Sequence, residues 1–344
     1  MKARNILLGI VLLLGVLIFT ACGGNDSSDQ NEESSTDSEG NNEEQAAAAD
    51  GNYPEHEVEI IVPNAAGGSN DLVARSISRE LQDKLGASVV VRNEDGAGGS
   101  IARSQVYGEE PDGYTILTSP MPSMSIGEVV KGDDFKVLDF EPIYGLFGKN
   151  STTIAVPTDS QFETLDDLVE ASKNESLKVA GTGAATNSTL ASILLQESGI
   201  DHEYVPFEGD AGASTQVAGG HVDFGLISEA GAESMVNEGE MRILGYLGEE
   251  RSELYPDAPT LAESGFENAT FEIIYGFFAP PETPDEIITV LEDAFEEASE
   301  EESFQKTAED SGFIIDKRNA EEFGEAIQES HSMVEELQDS FELE

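Results

Sequence analysis

The pattern of apolar and polar positions changes its period at residue 63, and this change predicts a strand followed by a helix. Before it, Val58, Ile60 and Val62 alternate with their neighbours, as side chains do on the two faces of a strand. Pro63, which cannot donate a ladder hydrogen bond, ends that strand. After it, apolar residues recur every fourth position and form one buried stripe of a helix. These residues are Val73, Ile77, Leu81 and Leu85.

The segment between this strand and helix, residues 64–71, is called turn 1. Gly67 and Gly68 have no Cβ, so a ligand can approach the backbone closely. Residues 69–71 (Ser-Asn-Asp) are of types that begin helices, where backbone N–H groups lack acceptors. Such a helix start attracts a carboxylate or phosphate. The alternative is an ordinary connection that binds nothing.

The same pattern returns about a hundred residues later. Residues 177–180 predict a strand, and residues 181–187, called turn 2, are small or polar. Apolar residues at Leu190, Ile193 and Leu194 predict the helix that follows. Two such units predict two α/β lobes, each of which offers a helix N-terminus.

The remaining elements follow from the same periods. We predict further strands at residues 87–91, 114–118, 140–147, 152–156, 204–207, 241–247 and 271–279, and further helices after Thr164, Thr283 and Asn319, the last two as packing elements. Residues 119–125 are expected to form a loop at the end of a strand, where the ligand crevice of an open α/β sheet lies. Ser119 and Ser123 are therefore candidate ligand contacts by topology alone.

The N-terminus predicts an export signal over residues 1–22. Lys2 and Arg4 precede an uncharged apolar run, which small residues and Cys22 end. This ending resembles the lipobox of bacterial lipoproteins, which implies that Cys22 is the lipid-modified first residue of the mature chain. The alternative is an uncleaved membrane anchor. Residues 23–53, rich in Ser, Asn, Gln, Gly and acid, predict a disordered acidic tether.

The charge excludes nucleic acid as a partner. The chain has 344 residues and a formal charge of −53, from 70 acidic and 17 basic residues. Binding to phosphate backbones requires a basic surface, which this composition does not provide. Such an acidic surface repels itself in dilute salt, whereas molar salt screens the repulsion. We therefore expect a halophilic, salt-loving source.

Several short motifs recur in a fixed order from Pro54 to the last helix. They include Ile61-Val62-Pro63, Ala66-Gly67-Gly68-Ser69, Gly96-Ala97-Gly98-Gly99, Pro111-Asp112-Gly113-Tyr114, Gly219-Gly220-His221-Val222-Asp223 and Tyr275-Gly276-Phe277-Phe278-Ala279-Pro280. In this order the chain resembles the extracytoplasmic solute receptors of tripartite tricarboxylate transporters, the Bug/TctC family.

The resemblance implies a two-lobe, type II periplasmic-binding-protein fold with a ligand cleft between the lobes. The expected lobes are residues 54–155 plus 272–344 and residues 156–271. An organic acid would bind between the two turns. The implied contacts are Asn64, Ala66, Gly67, Gly68, Ser69, Asn70 and Asp71 in the first lobe and Gly181, Thr182, Gly183, Ala184, Thr186 and Asn187 in the second.

Some positions depart from the family pattern or allow two interpretations. Asn64 stands where the family usually has Phe, and Phe207-Glu208-Gly209 replaces a frequent Tyr-Lys-Gly, so Phe207 is a candidate contact and the ligand's identity stays open. Asp71 either contacts the ligand or caps its helix. Asp223 either lines the cleft or ties the end of a strand.

The expected function is binding and delivery of a carboxylate, without catalysis and without a cofactor or metal. The chain contains no G-x-S-x-G or H-E-x-x-H motif, and its four histidines have no metal-ligand spacing. Alternatives are a lipoprotein that binds Ca²⁺ and an enzyme acting on a small carboxylate. We expect a monomer, and the resemblance implies the large and small membrane subunits of the transporter as partners.

Overall fold

The computed structural model describes residues 53–183, 186–311 and 313–341. The predicted signal peptide with Cys22 and nearly all of the predicted tether lie outside the described residues, and so does Ala184. Within the described part, two mixed sheets are each covered by helices. This arrangement confirms the predicted α/β class.

The first sheet has six strands in the order β11-β4-β10-β3-β1-β2. They are β1 (Val58–Val62), β2 (Val89–Asn93), β3 (Thr115–Met121), β4 (Glu141–Asn150), β10 (Ile273–Ala279) and β11 (Ile315–Arg318). Strands β1, β2 and β3 are parallel, whereas β10 runs antiparallel to β3. The carboxyl ends of the three parallel strands therefore meet at one edge of the sheet, which is where turn 1 follows β1.

The second sheet has five strands in the order β7-β6-β8-β5-β9. They are β5 (Thr152–Pro157), β6 (Leu177–Gly181), β7 (His202–Pro206), β8 (Phe224–Ser228) and β9 (Met241–Tyr246). Strands β6, β7 and β8 are parallel, so their carboxyl ends also share one edge. Because β5 pairs with β8 and β9, residues 152–155, which the sequence placed in the first lobe, belong to the second sheet.

The structure describes ten α-helices outside the shorter 3₁₀ and π segments. They are α1 (Ser69–Leu85), α2 (Ser100–Tyr107), α3 (Ser123–Ile126), α4 (Leu165–Ser172), α5 (Asn187–Glu197), α6 (Gly209–Ala218), α7 (Glu229–Asn237), α8 (Asp285–Ser299), α9 (Glu302–Asp310) and α10 (Ala320–Glu336). The predicted stripe of α1 is buried, since Val73, Ile77 and Leu81 are at most 1% exposed. Among the described helices, none is long and apolar enough to cross a bilayer.

The expected loop over residues 119–125 is wrong in part. Strand β3 continues to Met121, and Ser123 begins the short helix α3. The reason is tertiary, because the returning strand β10 pairs with β3 through Gly276 opposite Ser119 and Ile274 opposite Met121. A period of two in the local sequence cannot reveal a partner strand that lies about 150 residues away.

Candidate functional site

Turn 1 leads from β1 to an unblocked helix start. Gly68 is the N-cap residue of α1, in extended conformation, and its carbonyl accepts the first helical hydrogen bond, from the Leu72 N–H at 3.0 Å. The N–H groups of residues 69–71 precede that bond and have no acceptor within the helix. Turn 1 therefore presents a short row of amide donors at the positive end of α1.

Asp71 holds this turn in shape. Its carboxylate accepts the Gly67 N–H at 2.8 Å and the Arg75 Nε–H at 2.9 Å. Burial alone would raise the pKa of Asp71, but the hydrogen bonds from Arg75 and Gly67 outweigh it and lower that pKa. Both carboxylate oxygens are thus occupied, which favours the capping interpretation over contact with a ligand.

An amide network braces the other side of turn 1. The Asn70 side chain donates to Asn64 Oδ1 at 2.6 Å, and Asn93 at the end of β2 donates to the Asn64 carbonyl at 2.9 Å. Asn70 is 4% exposed, yet its Oδ1 has no partner within the described residues. A buried acceptor without a donor is costly, so Asn70 Oδ1 is an unsatisfied polar atom within turn 1.

Turn 2 is shaped by a tyrosine that the sequence did not single out. A Cβ on Gly181 would lie 2.1 Å from the Tyr204 hydroxyl oxygen, so only glycine fits beneath that ring. The Tyr204 hydroxyl donates to the Gly183 carbonyl at 2.6 Å. The Thr182 hydroxyl bonds Ser188 at 2.8 Å, and Ser188 bonds the Leu226 carbonyl of β8 at 2.9 Å. These contacts join turn 2 to both neighbouring strands.

Helix α5 begins at turn 2 in the same manner as α1 begins at turn 1. Thr186 is its N-cap residue in extended conformation, and the Leu190 N–H bonds the Thr186 carbonyl at 3.1 Å. The N–H groups of Asn187 and Ser188 lie before that bond. Asn187 Oδ1 is buried without a partner in the described residues, like Asn70 Oδ1 in the first lobe.

Ser69 of turn 1 lies close to Asp210, a residue of the helix that follows β7 of the second sheet. The carboxylate of Asp210, on α6, accepts the Ser228 hydroxyl at 2.8 Å at the carboxyl end of β8, beside turn 2. The Ser69 side chain of turn 1 is close enough to this carboxylate to lower its pKa. Ser69 also lies near the Tyr275 hydroxyl of β10. Burial nevertheless raises the pKa of Asp210 overall.

Asp210 could have been found in the sequence. It follows β7 and Gly209 at the start of a helix, which repeats the strand–glycine–helix pattern of the two turns. Tyr204 and Tyr275 carry no such local signal, because their positions depend on strand pairing.

The other predicted contacts fall into three places. Phe207 lies next to turn 2, where its N–H donates to the Gly181 carbonyl at 2.9 Å. Ser119 and Ser123 are buried behind turn 1 and bond Arg103, a residue that the sequence did not indicate. Ala66 is exposed in turn 1.

The hydrogen bonds of Asp223 decide between its two interpretations. Its carboxylate accepts the Lys178 N–H at 2.7 Å, and its own N–H donates to the Lys178 carbonyl at 2.9 Å. Asp223 precedes β8 and therefore lies at the amino edge of the second sheet, opposite the edge that carries turn 2. It ties the end of a strand, and the structure removes it from the candidate site.

The acids of the described residues do not form a metal centre. No group of three or more His, Cys, Asp or Glu side chains in that part of the chain is arranged to hold a metal ion.

Comparison with known proteins identifies the family. The family model described as "Tripartite tricarboxylate transporter family receptor" matches residues 73–342. The chain belongs to this family. Its members are extracytoplasmic solute-binding receptors, so the resemblance found in the sequence is confirmed.

Relatives in sequence support the same assignment. The chain is 30% identical to a UPF0065 protein of Bordetella pertussis over 264 residues, which covers 76% of this chain and 81% of that protein. It is also 30% identical to protein BugT of the same species, over 72% of this chain and 77% of BugT.

Solved structures confirm the two-lobe periplasmic-binding fold. The chain is similar to MatC (Rpa3494) of Rhodopseudomonas palustris with bound malate, at 26% identity and a TM-score of 0.75 over 84% of this chain and all of that one. It is similar to the periplasmic binding protein BugD at 27% identity and a TM-score of 0.74, over 84% of this chain and 98% of that one.

Proposed function

We propose that this receptor captures a small organic acid in the cleft between turn 1 and turn 2 and delivers it to the membrane subunits of a tripartite tricarboxylate transporter. The observation that supports the proposal is the pair of open helix starts at turn 1 and turn 2, with Ser69 of turn 1 close to Asp210 of α6. Malate bound to the related MatC supports the choice of a carboxylate.

Backbone amides are suited to this task in an acidic protein. A hydrogen bond to a charged group contributes about 1.5–3 kcal/mol net. A few such bonds to one carboxylate, less the cost of ordering and closure, reach the roughly 8 kcal/mol of a micromolar site. No lysine or arginine has to enter the cleft.

The membrane anchor is part of the proposal. Cys22 would carry the lipid on the outer face of the cell membrane, and residues 23–53 would tether the folded body to it. A flexible coil of about thirty residues has an r.m.s. reach of roughly 30 Å. Cys22→Ser is expected to move the protein from the membrane fraction to the soluble extracytoplasmic fraction, whereas an unchanged distribution would contradict the anchor.

The test of binding is calorimetry and thermal shift of the folded chain in high salt. The panel comprises malate, citrate, tartrate, malonate, glutamate, adipate and an aromatic acid, with CaCl₂ as a separate arm. We expect micromolar binding of at least one acid and no heat with calcium. If calcium binds and every acid fails, the receptor proposal is wrong and the calcium-binding alternative replaces it.

A further inference from the structure

Arg103 is a buried cation on α2 that the proposed carboxylate grip does not use. It is 2% exposed and is among the largest fully buried side chains of the described residues. Its Nε–H donates to the Ser119 hydroxyl at 3.1 Å. Two longer contacts join it to the Gly98 and Ser123 carbonyls at 3.4 Å, and a third joins it to the Ser123 hydroxyl at 3.5 Å.

These contacts satisfy the guanidinium poorly. Arginine has five N–H donors, and ordinary N–H···O distances are about 2.7–3.2 Å. Only the contact with Ser119 falls in that range among those that the described residues make. Burial lowers the pKa of Arg103 to about 10, with Asp133 opposing the shift, so the group remains charged at neutral pH.

The nearby carboxylate is engaged elsewhere. Asp133 accepts the Ser100 hydroxyl and lies 3.9 Å from Lys131 Nζ, whereas no ion pair within the described part of the chain joins it to Arg103. The cluster of Arg103, Lys131 and Asp133 therefore carries a net positive charge within a strongly acidic molecule. A buried charge without a close partner is expensive, which suggests that its compensation comes from a group outside the chain.

The position of Arg103 points to that group. A Cβ placed on Gly99 would lie 3.1 Å from Arg103 Cζ and 3.1 Å from Pro63 Cβ, so the guanidinium and the first residue after β1 both lie against Gly99. Ser119 places it equally near the carboxyl end of β3, the parallel neighbour of β1. Arg103 thus lies behind turn 1, at the edge of the sheet that borders the cleft.

We propose that Arg103 is a positioning residue that sets ligand charge preference: its buried cation behind turn 1 raises the affinity of the cleft for dicarboxylates over monocarboxylates. This inference rests on the proposed carboxylate-binding function. The side chain is too buried to touch the ligand directly. It acts through its electric field, which is weakly screened in the protein interior, and through its hold on Ser119 and Ser123.

An electrostatic role and a purely structural role of Arg103 predict different effects on ligand affinity. The field acts in proportion to ligand charge, so its loss should weaken a dianion more than a monoanion of the same shape. Loss of a brace should weaken both alike and lower the melting temperature. Replacing an uncompensated buried charge by an apolar side chain of similar volume is often neutral or stabilising.

The experiment compares wild type with Arg103→Met, Arg103→Gln and Arg103→Lys by calorimetry and thermal unfolding. The probes are malate and succinate, each beside its monoamide. We expect Arg103→Met to melt no lower than wild type and to bind the diacid about tenfold more weakly, with at most a two- to threefold loss for the monoamide. Arg103→Lys should recover part of the diacid affinity, and Arg103→Gln repeats the comparison if the methionine variant does not fold.

The matched control is Arg242→Met. Arg242 also binds loop carbonyls, those of Ser160 and Phe162, but near the amino end of β9, away from the turns. The Arg242→Met substitution should lower stability and leave diacid affinity unchanged. Equal losses for diacid and monoamide in Arg103→Met, or no loss, would overturn the role of Arg103 alone. Failure of every carboxylate to bind wild type would overturn the proposed function together with it.

Discussion

At the residue scale, two adjacent glycines of turn 1 have different reasons to be glycine. Gly67 has a φ of +86°, which L side chains adopt only with strain. Gly68 has φ −81° and ψ 170°, which any residue can adopt, and a Cβ there would meet only the Ala65 carbonyl oxygen at 3.4 Å. Backbone conformation therefore does not require glycine at position 68, whereas close approach of a ligand to the amides would.

Gly68→Val tests this distinction. We expect the melting temperature to stay within a few degrees of wild type while affinity for the bound acid falls at least tenfold, because the side chain covers the amides of turn 1. Gly86→Ala is the control: at φ +68° in open space it should cost about 1–2 kcal/mol of stability without any effect on binding. Unchanged affinity in Gly68→Val would exclude turn 1 from the site.

At the element scale, local periodicity predicted those elements that carry their own pattern. Strand β1, helix α1, strand β6 and helix α5 lie where the sequence placed them, because an amphipathic stripe and a glycine turn are properties of neighbouring residues. The last residues of β3, up to Met121, were missed, since only pairing with β10 holds them in the sheet. Asp223 kept two interpretations in the sequence because its residue type does not reveal which edge of the sheet it occupies.

Helix α7 carries a titratable group at its first residue. Glu229 is 1% exposed and bonds Tyr246 at 2.8 Å and Ser252. Burial raises its pKa to about 7, although the hydrogen bond from Tyr246 opposes the shift. The folded state thus binds this proton more tightly than the unfolded state does. Its stabilising contribution is complete below pH 4.5 and is lost as the pH rises through about 7.

We therefore expect Glu229→Gln to remove a pH-dependent loss of stability. Between pH 5 and 8 wild type should lose on the order of 3 kcal/mol more than the variant, measured by urea unfolding at constant salt. Glu309→Gln, at an exposed position of α9, controls for the loss of one negative charge. Parallel pH profiles for wild type and Glu229→Gln would contradict this assignment.

At the scale of the whole molecule, the acidic charge dominates the expected dependence of stability on salt concentration. With 70 acidic and 17 basic residues, most carboxylates have no cationic partner, and the ion pairs of the described residues lie mainly at the surface. Surface pairs contribute little, so they cannot offset repulsion between unpaired acids. Molar salt shortens the Debye length to about 3 Å and screens that repulsion.

The melting temperature is therefore expected to rise by roughly ten degrees or more between about 0.1 and 3 M KCl, and NaCl should act in the same direction. Differential scanning calorimetry at neutral pH measures this change in melting temperature. Sucrose at equal osmolality is the control for solvent exclusion. A steady fall in melting temperature with salt would contradict a halophilic origin for this acidic surface.

The sequence by itself determined the family, the α/β class and the two helix starts, because each depends on residues close together in the chain. The tertiary structure alone decided that Asp210 lies near Ser69, that Asp223 lies at the far edge of its sheet, and that Arg103 is buried without an ion pair among the described residues. These depend on strand order and burial, which bring together residues that no local pattern connects.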